Sequence, residues 1–307
     1  MNYTLNQLNI FLTVAQTLNV TKAAEMLHLT QPAVSIQLKN FTTQFDEPLI
    51  EVVNKRIFLT EFGREIAAAA ERILNEAYSI NYLMHSNKGE LAGKLRFSVV
   101  STGKYVMPYF LSDFMNKHKG VELKMDVTNK AQVVSSLEKN EVDFSLVSVL
   151  PSNLNLEKIE LMQNKLFLIG NTDKEFKEKA YKKSIFSEIP MIYRESGSAT
   201  RLVMENFLKQ YNLPVSKKME LTSNEAVKQA VVAGLGYSVM PLIGLKNELS
   251  NKQLQIIPVT GFPIITTWYL VWLRDKKPST VAAAYLDYVR SEKANIIHSK
   301  FEWFEKY

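Results

Sequence analysis

The stretch Thr21-Lys22-Ala23-Ala24-Glu25-Met26-Leu27-His28-Leu29-Thr30-Gln31-Pro32-Ala33-Val34-Ser35 decides how this chain is read. Ala23, Ala24 and Leu27 repeat at helical spacing behind Thr21, which is placed to cap them. His28-Leu29 reads as a tight turn, and Thr30 as the cap of a further helix that opens with Gln31-Pro32. Proline is tolerated there because first-turn amides have no intrahelical partner. That helix divides into two faces. Val34, Leu38 and Phe41 form an apolar stripe suited to a core, while Gln31, Pro32, Ser35, Ile36 and Lys39 cluster on the opposite side. Two helices joined by a short turn, with such a face on the second, make a helix-turn-helix whose second helix enters a DNA major groove N-terminus first. On this reading Gln31 pairs with an adenine edge, Ser35 bonds a base or a phosphate, and Lys39 meets a phosphate. Thr21 and Lys22, at a helix N-terminus, suit a phosphate contact.

Upstream, Thr4-x-x-Gln7 is a capping box for a helix carrying Leu8, Phe11, Leu12 and Ala15. Downstream, Leu49 to Thr60 has two short apolar runs flanking a polar Asn54-Lys55-Arg56 tip. That is the pattern of a wing, with Lys55 or Arg56 reaching the minor groove or backbone. From Thr60 to about Ser86 one helix is expected. Ile66, Ala70, Ile73, Ala77, Ile80 and Met84 alternate spacings of four and three, as in a coiled-coil dimerisation seam. The plainer alternative is a helix packed on its own domain. Asn87-Lys88-Gly89 breaks it.

Charge alone does not argue for DNA. The net charge is +6, yet Lys22, Lys39, Lys55 and Arg56 in the first sixty residues are matched by Glu25, Asp46, Glu47 and Glu51. The chain has 307 residues, 46% hydrophobic and 22% charged, enough for two or three domains. It contains no cysteine, which excludes disulfides, thiolate catalysis and cysteine-ligated zinc. The N-terminus lacks the pattern of a signal peptide, and no apolar run approaches a membrane span, so a soluble, cytoplasmic protein is expected.

From Leu91 onward strands and helices alternate. Strands are expected at 95–100, 121–128, 142–149, 167–170, near Met191 and Met219, at 236–240 and at 268–273. Helices are expected at about 104–117, 132–139, 199–211, 224–233 and 280–289. This is an α/β pattern in two lobes. Ser101-Thr102-Gly103-Lys104 and Arg194-Glu195-Ser196-Gly197-Ser198-Ala199-Thr200-Arg201 each follow a strand and open a helix. Amides, hydroxyls and cations at helix starts make an anion site. For either loop alone, ordinary helix capping explains the residues as well.

The run from Thr21 to Ser35 resembles the N-terminal signature of LysR-type transcriptional regulators, and Leu59-Thr60-Glu61-Phe62-Gly63 is similar to the family's segment after the wing. Asn140-Glu141-Val142-Asp143-Phe144-Ser145-Leu146, Gly197-Ser198-Ala199-Thr200-Arg201 and Ala233-Gly234-Leu235-Gly236 resemble motifs of the family's second part. Ser101-Thr102-Gly103-Lys104-Tyr105 and Thr128-Asn129-Lys130 look closest to the CbbR- and CysL-like branch, which regulates carbon fixation and sulfur or nitrogen assimilation. The resemblance implies an all-α winged helix-turn-helix over residues 1–60, a linker dimerisation helix over 61–88, and a two-lobed effector domain over 89–307 similar to type 2 periplasmic solute-binding proteins. Lobe I spans about 91–165 and 268–307, and lobe II about 166–267. It also implies DNA contacts at Gln31, Pro32 and Ser35, and a pocket built from Ser101, Thr102, Asn129, Ser148, Ser198, Thr200 and Arg201. A homodimer or homotetramer would bind a pseudo-palindromic operator and engage RNA polymerase. No cofactor is expected beyond a small, anionic effector. Two departures stand out. Ile36 replaces a common arginine, which suggests an apolar contact such as a thymine methyl, and Val99-Val100 replace part of a longer hydroxyl run.

Catalysis is not expected. Gly234-x-Gly236 lacks the third glycine of a dinucleotide fingerprint, and Ser136-x-x-Lys139 has no companion motif. His28, His85, His118 and His298 are too scattered for a metal site. The aromatic run Phe301-Glu302-Trp303-Phe304 reads as packing or an oligomer contact. A transport receptor without DNA function is the competing reading.

Overall fold

The computed structural model describes residues 3–54, 56–86, 91–213 and 217–307; the side chains at 75, 78–86, 217 and 218 fall outside that description. Two compact units result, Met1–Glu90 and Leu91–Tyr307.

In the first unit, α1 (Leu5–Thr17) opens with the capping box: Thr4 Oγ1 accepts from the Gln7 amide, and the Gln7 side chain accepts from the Thr4 amide. Helix α2 (Val20–Leu27) starts one residue before the expected cap. Asn19 caps it, its Oδ1 accepting from the Lys22 amide at 3.0 Å, so Thr21 lies inside the first turn. The physical reason is reach: a capping oxygen serves the third helical amide, and only Asn19 stands at that distance. His28 closes α2 in the left-handed region. Thr30 caps α3 (Gln31–Thr42) as expected. Strands β1 (Ile50–Val53) and β2 (Arg56–Leu59) form an antiparallel hairpin with Val53 opposite Arg56.

Helix α4 (Glu61–Ser86) runs along α1. Here the expected seam is corrected. Ala70 is 1% exposed and belongs, with Leu74, to the core formed by Leu8, Phe11, Val34 and Phe41; Ile66 and Ala67 pack against the same core. The stripe Phe62, Ile66, Ala70 and Leu74 closes one side of the helical trio, and Leu49, Ile50, Ile57 and Leu59 of the hairpin region pack on the same core. Among the expected seam residues with described side chains, only Ile73, 42% exposed, and the half-buried Ala77 stay outside it. Lys55 and the side chains of Ile80 and Met84 lie outside the described residues, as does the break at 87–89.

The second unit starts with β3 (Ala92–Val100), which leads into a 3-10 turn at Ser101–Tyr105 and then α5 (Met107–Lys117). Next come β4 (Gly120–Thr128), α6 (Lys130–Glu138), β5 (Phe144–Val147) and β6 (Leu156–Asn171). Lobe II carries α7 (Ile185–Glu188), β7 (Met191–Arg194), α8 (Ala199–Gln210), β8 (Lys217–Leu221), α9 (Asn224–Val232), β9 (Ser238–Pro241), α10 (Lys246–Ser250) and β10 (Leu254–Ile257). The chain returns through β11 (Ile264–Leu273) and ends with α11 (Thr280–Phe301) and a 3-10 turn at Glu302–Lys306.

One sheet runs β10-β6-β11-β5-β3-β4, with β9 also paired to β6. Two long strands connect the lobes. The first part of β6, Leu156 to Leu166, pairs antiparallel with β11, and its end pairs with β9 and β10. Strand β3 is parallel to β4 and β5, so their carboxyl ends share one edge. The core of lobe I stacks Phe97, Phe144 and Tyr285. A separate core in lobe II gathers Phe186, Met191, Phe207 and Ile257.

Candidate DNA-reading face and effector cavity

On α3 the buried stripe is Val34, Leu38 and Phe41, as its spacing predicts, so Gln31, Pro32, Ile36 and Lys39 are left exposed with Ser35 partly so. Gln31 Nε2 donates to Ser35 Oγ at 2.8 Å, one turn along. This bond uses one donor of the amide and ties the two exposed side chains together. Ile36 is 58% exposed, an apolar group at the centre of a polar face. Thr21, Lys22 and Arg56 are exposed.

In the second unit, five of the seven expected pocket residues come together. Ser101, Thr102, Asn129, Ser198 and Thr200 line one small cavity with Lys130 and Arg194. Topology explains the assembly: Ser101 and Asn129 follow the carboxyl ends of β3 and β4, and Arg194 ends β7. Ligands of α/β folds collect at such edges. Two helix N-termini flank the cavity. Asn129 Oδ1 caps α6 by accepting from the Gln132 amide at 3.1 Å, and Ser198 Oγ caps α8 by accepting from the Arg201 amide at 3.4 Å. Their dipoles favour negative charge between them.

Arg194 is the residue that sequence reading missed. It stands in the same loop as Arg201, and nothing in a strand-end arginine distinguishes the two along the sequence. Its side chain is 4% exposed. It crosses between lobes, Nη1 donating to Ser101 Oγ at 3.0 Å, while Nε and Nη2 donate to both oxygens of Glu195 at 2.8 and 3.0 Å. With Arg194 across it, the cavity has room for about one water molecule. Lys130 adds a second cation, and burial pulls its ammonium below the usual lysine range.

Two expected pocket residues, Arg201 and Ser148, do not line this cavity. The Arg201 side chain bonds Glu205 Oε1 at 2.7 Å, Glu220 Oε2 at 2.7 Å and the Arg194 carbonyl at 3.0 Å, over the Tyr193 ring. Hydrogen bonds to Glu205 and Glu220 raise its already high pKa against burial, so its charge is spent inside lobe II. Ser148 is buried beyond β5 and does not line the cavity. Among the described residues there is no cluster of metal-ligating side chains, and no helix is long and apolar enough to cross a membrane.

Residues 5–64 match the model for the bacterial regulatory helix-turn-helix protein, lysR family, and residues 88–294 match the LysR substrate binding domain. The RuBisCO operon transcriptional regulator of Allochromatium vinosum is 38% identical over 297 residues, 96% of this chain and 98% of that protein. The HTH-type transcriptional activator CmpR of Synechocystis is 36% identical over 289 residues, 94% and 95% of the two chains. The regulatory domain of CcmR from Synechocystis PCC6803, solved in complex with 2-PG, superposes with a TM-score of 0.63 at 33% identity, over 66% of this chain and 98% of that one. Full-length CbnR, solved with its target DNA, shares the fold at 18% identity, with a TM-score of 0.66 over 94% of this chain and 99% of its own. The chain therefore belongs to the LysR family of bacterial DNA-binding transcriptional regulators, among relatives of the CbbR and CmpR type.

Proposed function

We propose that this regulator couples occupancy of the Ser101–Thr102 cavity by a small phosphorylated or carboxylated anion to the geometry with which it grips its operator. The observation that carries this reading is Arg194. A nearly buried guanidinium joins lobe II to the Ser101 hydroxyl of lobe I, between two helix N-termini. An anion bonded to Arg194, Lys130 and the surrounding hydroxyls would favour one lobe arrangement over another, and a ligand shifts such an equilibrium only by its differential affinity. The relative solved with 2-PG supports this ligand class, and the RuBisCO operon regulators support carbon-fixation genes as the target.

Gln31, Pro32, Ser35, Ile36 and Lys39 would read bases and phosphates, with Lys22 and Thr21 at the α2 N-terminus and Arg56 on the wing holding the backbone. The working form is a homodimer or homotetramer acting in the cytoplasm with RNA polymerase and no catalytic step. Ile73 and Ala77, left outside the first unit's core, are the described residues available to a partner helix. A solute receptor without DNA function has no use for the exposed α3 face.

The test is a mobility shift on DNA flanking the gene, at fixed salt with competitor, with and without 2-phosphoglycolate. Two protected half-sites that change on adding the anion are expected, with the change lost in Thr102→Val while basal binding is kept. A wild-type response in Thr102→Val would move the effector elsewhere.

A further inference from the structure

A second cavity, of about 300 Å³, opens in the Leu91–Tyr307 unit and shares no lining residue with the first. It absorbs the aromatic end of the chain, since Trp303 forms part of its wall. Lys104, Lys246 and Lys300 bring three ammonium groups to it, and none of the three has an ion-pair partner among the described residues. The Lys104 ammonium lies 5.0 Å from the Tyr105 ring centre and that of Lys246 5.4 Å from the Trp303 ring centre.

The floor is fixed by a network of one ammonium and two carboxylates, which leaves one surplus negative charge there. Lys228, 9% exposed by its side chain, bonds Glu248 at 2.6 Å and Glu225 at 3.1 Å, and the Tyr105 hydroxyl donates to Glu225 at 3.1 Å. Burial pushes that hydroxyl up to about 12, with Glu225 adding to the shift and Lys228 opposing it, so it stays a donor. Gly244 lets the wall close: a Cβ there would come within 2.8 Å of the Tyr105 ring and 3.3 Å of the Asn224 amide nitrogen. Asn224, 1% exposed, lies behind that wall and does not line the cavity.

We propose that this cavity is a second ligand site, for a small organic molecule carrying two or more phosphate or carboxylate charges. Three ammonium groups against the one surplus carboxylate of the floor leave the site with two positive charges, which suits a ligand with more than one negative charge, and the Trp303 and Tyr109 rings cover its apolar part. The volume falls at the lower end of small-molecule sites. Occupancy here would be independent of the anion at Ser101–Thr102.

Trp303 supplies a local reporter, because the other two tryptophans, Trp268 and Trp272, are 0% and 7% exposed. Tripolyphosphate titrated into the full-length protein should bind saturably by calorimetry and shield Trp303 from acrylamide quenching. Lys246→Glu and Lys300→Glu, both at exposed positions, should each weaken binding about tenfold, whereas Thr102→Val should leave it unchanged. Trp303→Phe should remove the optical signal and keep the heat. Non-saturable binding, equal affinity in both lysine variants, or loss of binding in Thr102→Val would each overturn the site.

Discussion

A single guanidinium separates the two arginines of the lobe II loop. Arg194 faces the cavity and Arg201 faces Glu205 and Glu220. Glu195 grips the Arg194 fork from both sides at 13% side-chain exposure, so it competes with any anion entering the cavity. Glu195→Gln should therefore raise affinity for 2-phosphoglycolate by about threefold to tenfold, a charged acceptor being roughly twice as strong as a neutral one. Arg201→Ala should lower stability and leave the ligand response intact; calorimetry beside thermal unfolding separates the two effects. A weaker response in Glu195→Gln would mean that its carboxylate orients Arg194 rather than competing for it. On α3, Gln31→Ala and Ser35→Arg should each damage operator binding while sparing effector binding, because the Gln31–Ser35 bond lies on the exposed face and supports no core. Unchanged footprints in both variants would relocate the reading face. These roles were half legible in the sequence. Hydroxyls at strand ends announced the cavity, but the choice between Arg194 and Arg201 depends on carboxylates 1, 4 and 19 positions away, and on which of them fold back.

At the scale of elements, local chemistry predicted most boundaries. Thr4 and Thr30 cap where their spacing says they should, and the apolar stripe of α3 is the one its period predicts. The failures have physical causes. Strand β6 spans 16 residues where only its end was expected, because Glu157, Lys158, Glu160, Gln163 and Lys165 interrupt its first part with polar side chains. Helix α11 runs on to Phe301 because Ile296, Phe301 and Phe304 dock on the lobe I core, a packing gain that sequence period alone does not reveal. Gly63 in the segment after the wing also acquires its reason here. It lies in the first turn of α4, where a Cβ would collide with the Leu49 carbonyl, while Thr60 Oγ1 accepts from the Gly63 amide at 2.8 Å and donates to the Pro48 carbonyl at 2.7 Å. Gly63→Ala should cost about 3 kcal/mol in denaturant unfolding of the first unit and weaken DNA binding through it. A loss below about 0.5 kcal/mol would show that the hairpin yields without strain.

At the scale of the whole molecule, each unit carries its own core, so residues 91–307 should fold alone, bind 2-phosphoglycolate as the full chain does and fail to shift operator DNA. Absence of anion binding by calorimetry in that fragment would mean that the first unit completes the site. The sequence by itself determined the family, the helix-turn-helix with the polar face of α3 that stands exposed, the long helix after the wing and the alternation of strands and helices. Those properties are written in caps, turns and short-range periodicity, which act over a few residues. Only the tertiary structure decided that Ile66 and Ala70 serve their own core, that Arg194 rather than Arg201 bridges the lobes, and that the aromatic tail walls a second basic cavity. Each of those outcomes depends on which of several similar side chains finds a partner distant in sequence, and that competition is settled by packing and charge pairing across the fold rather than by neighbours along the chain.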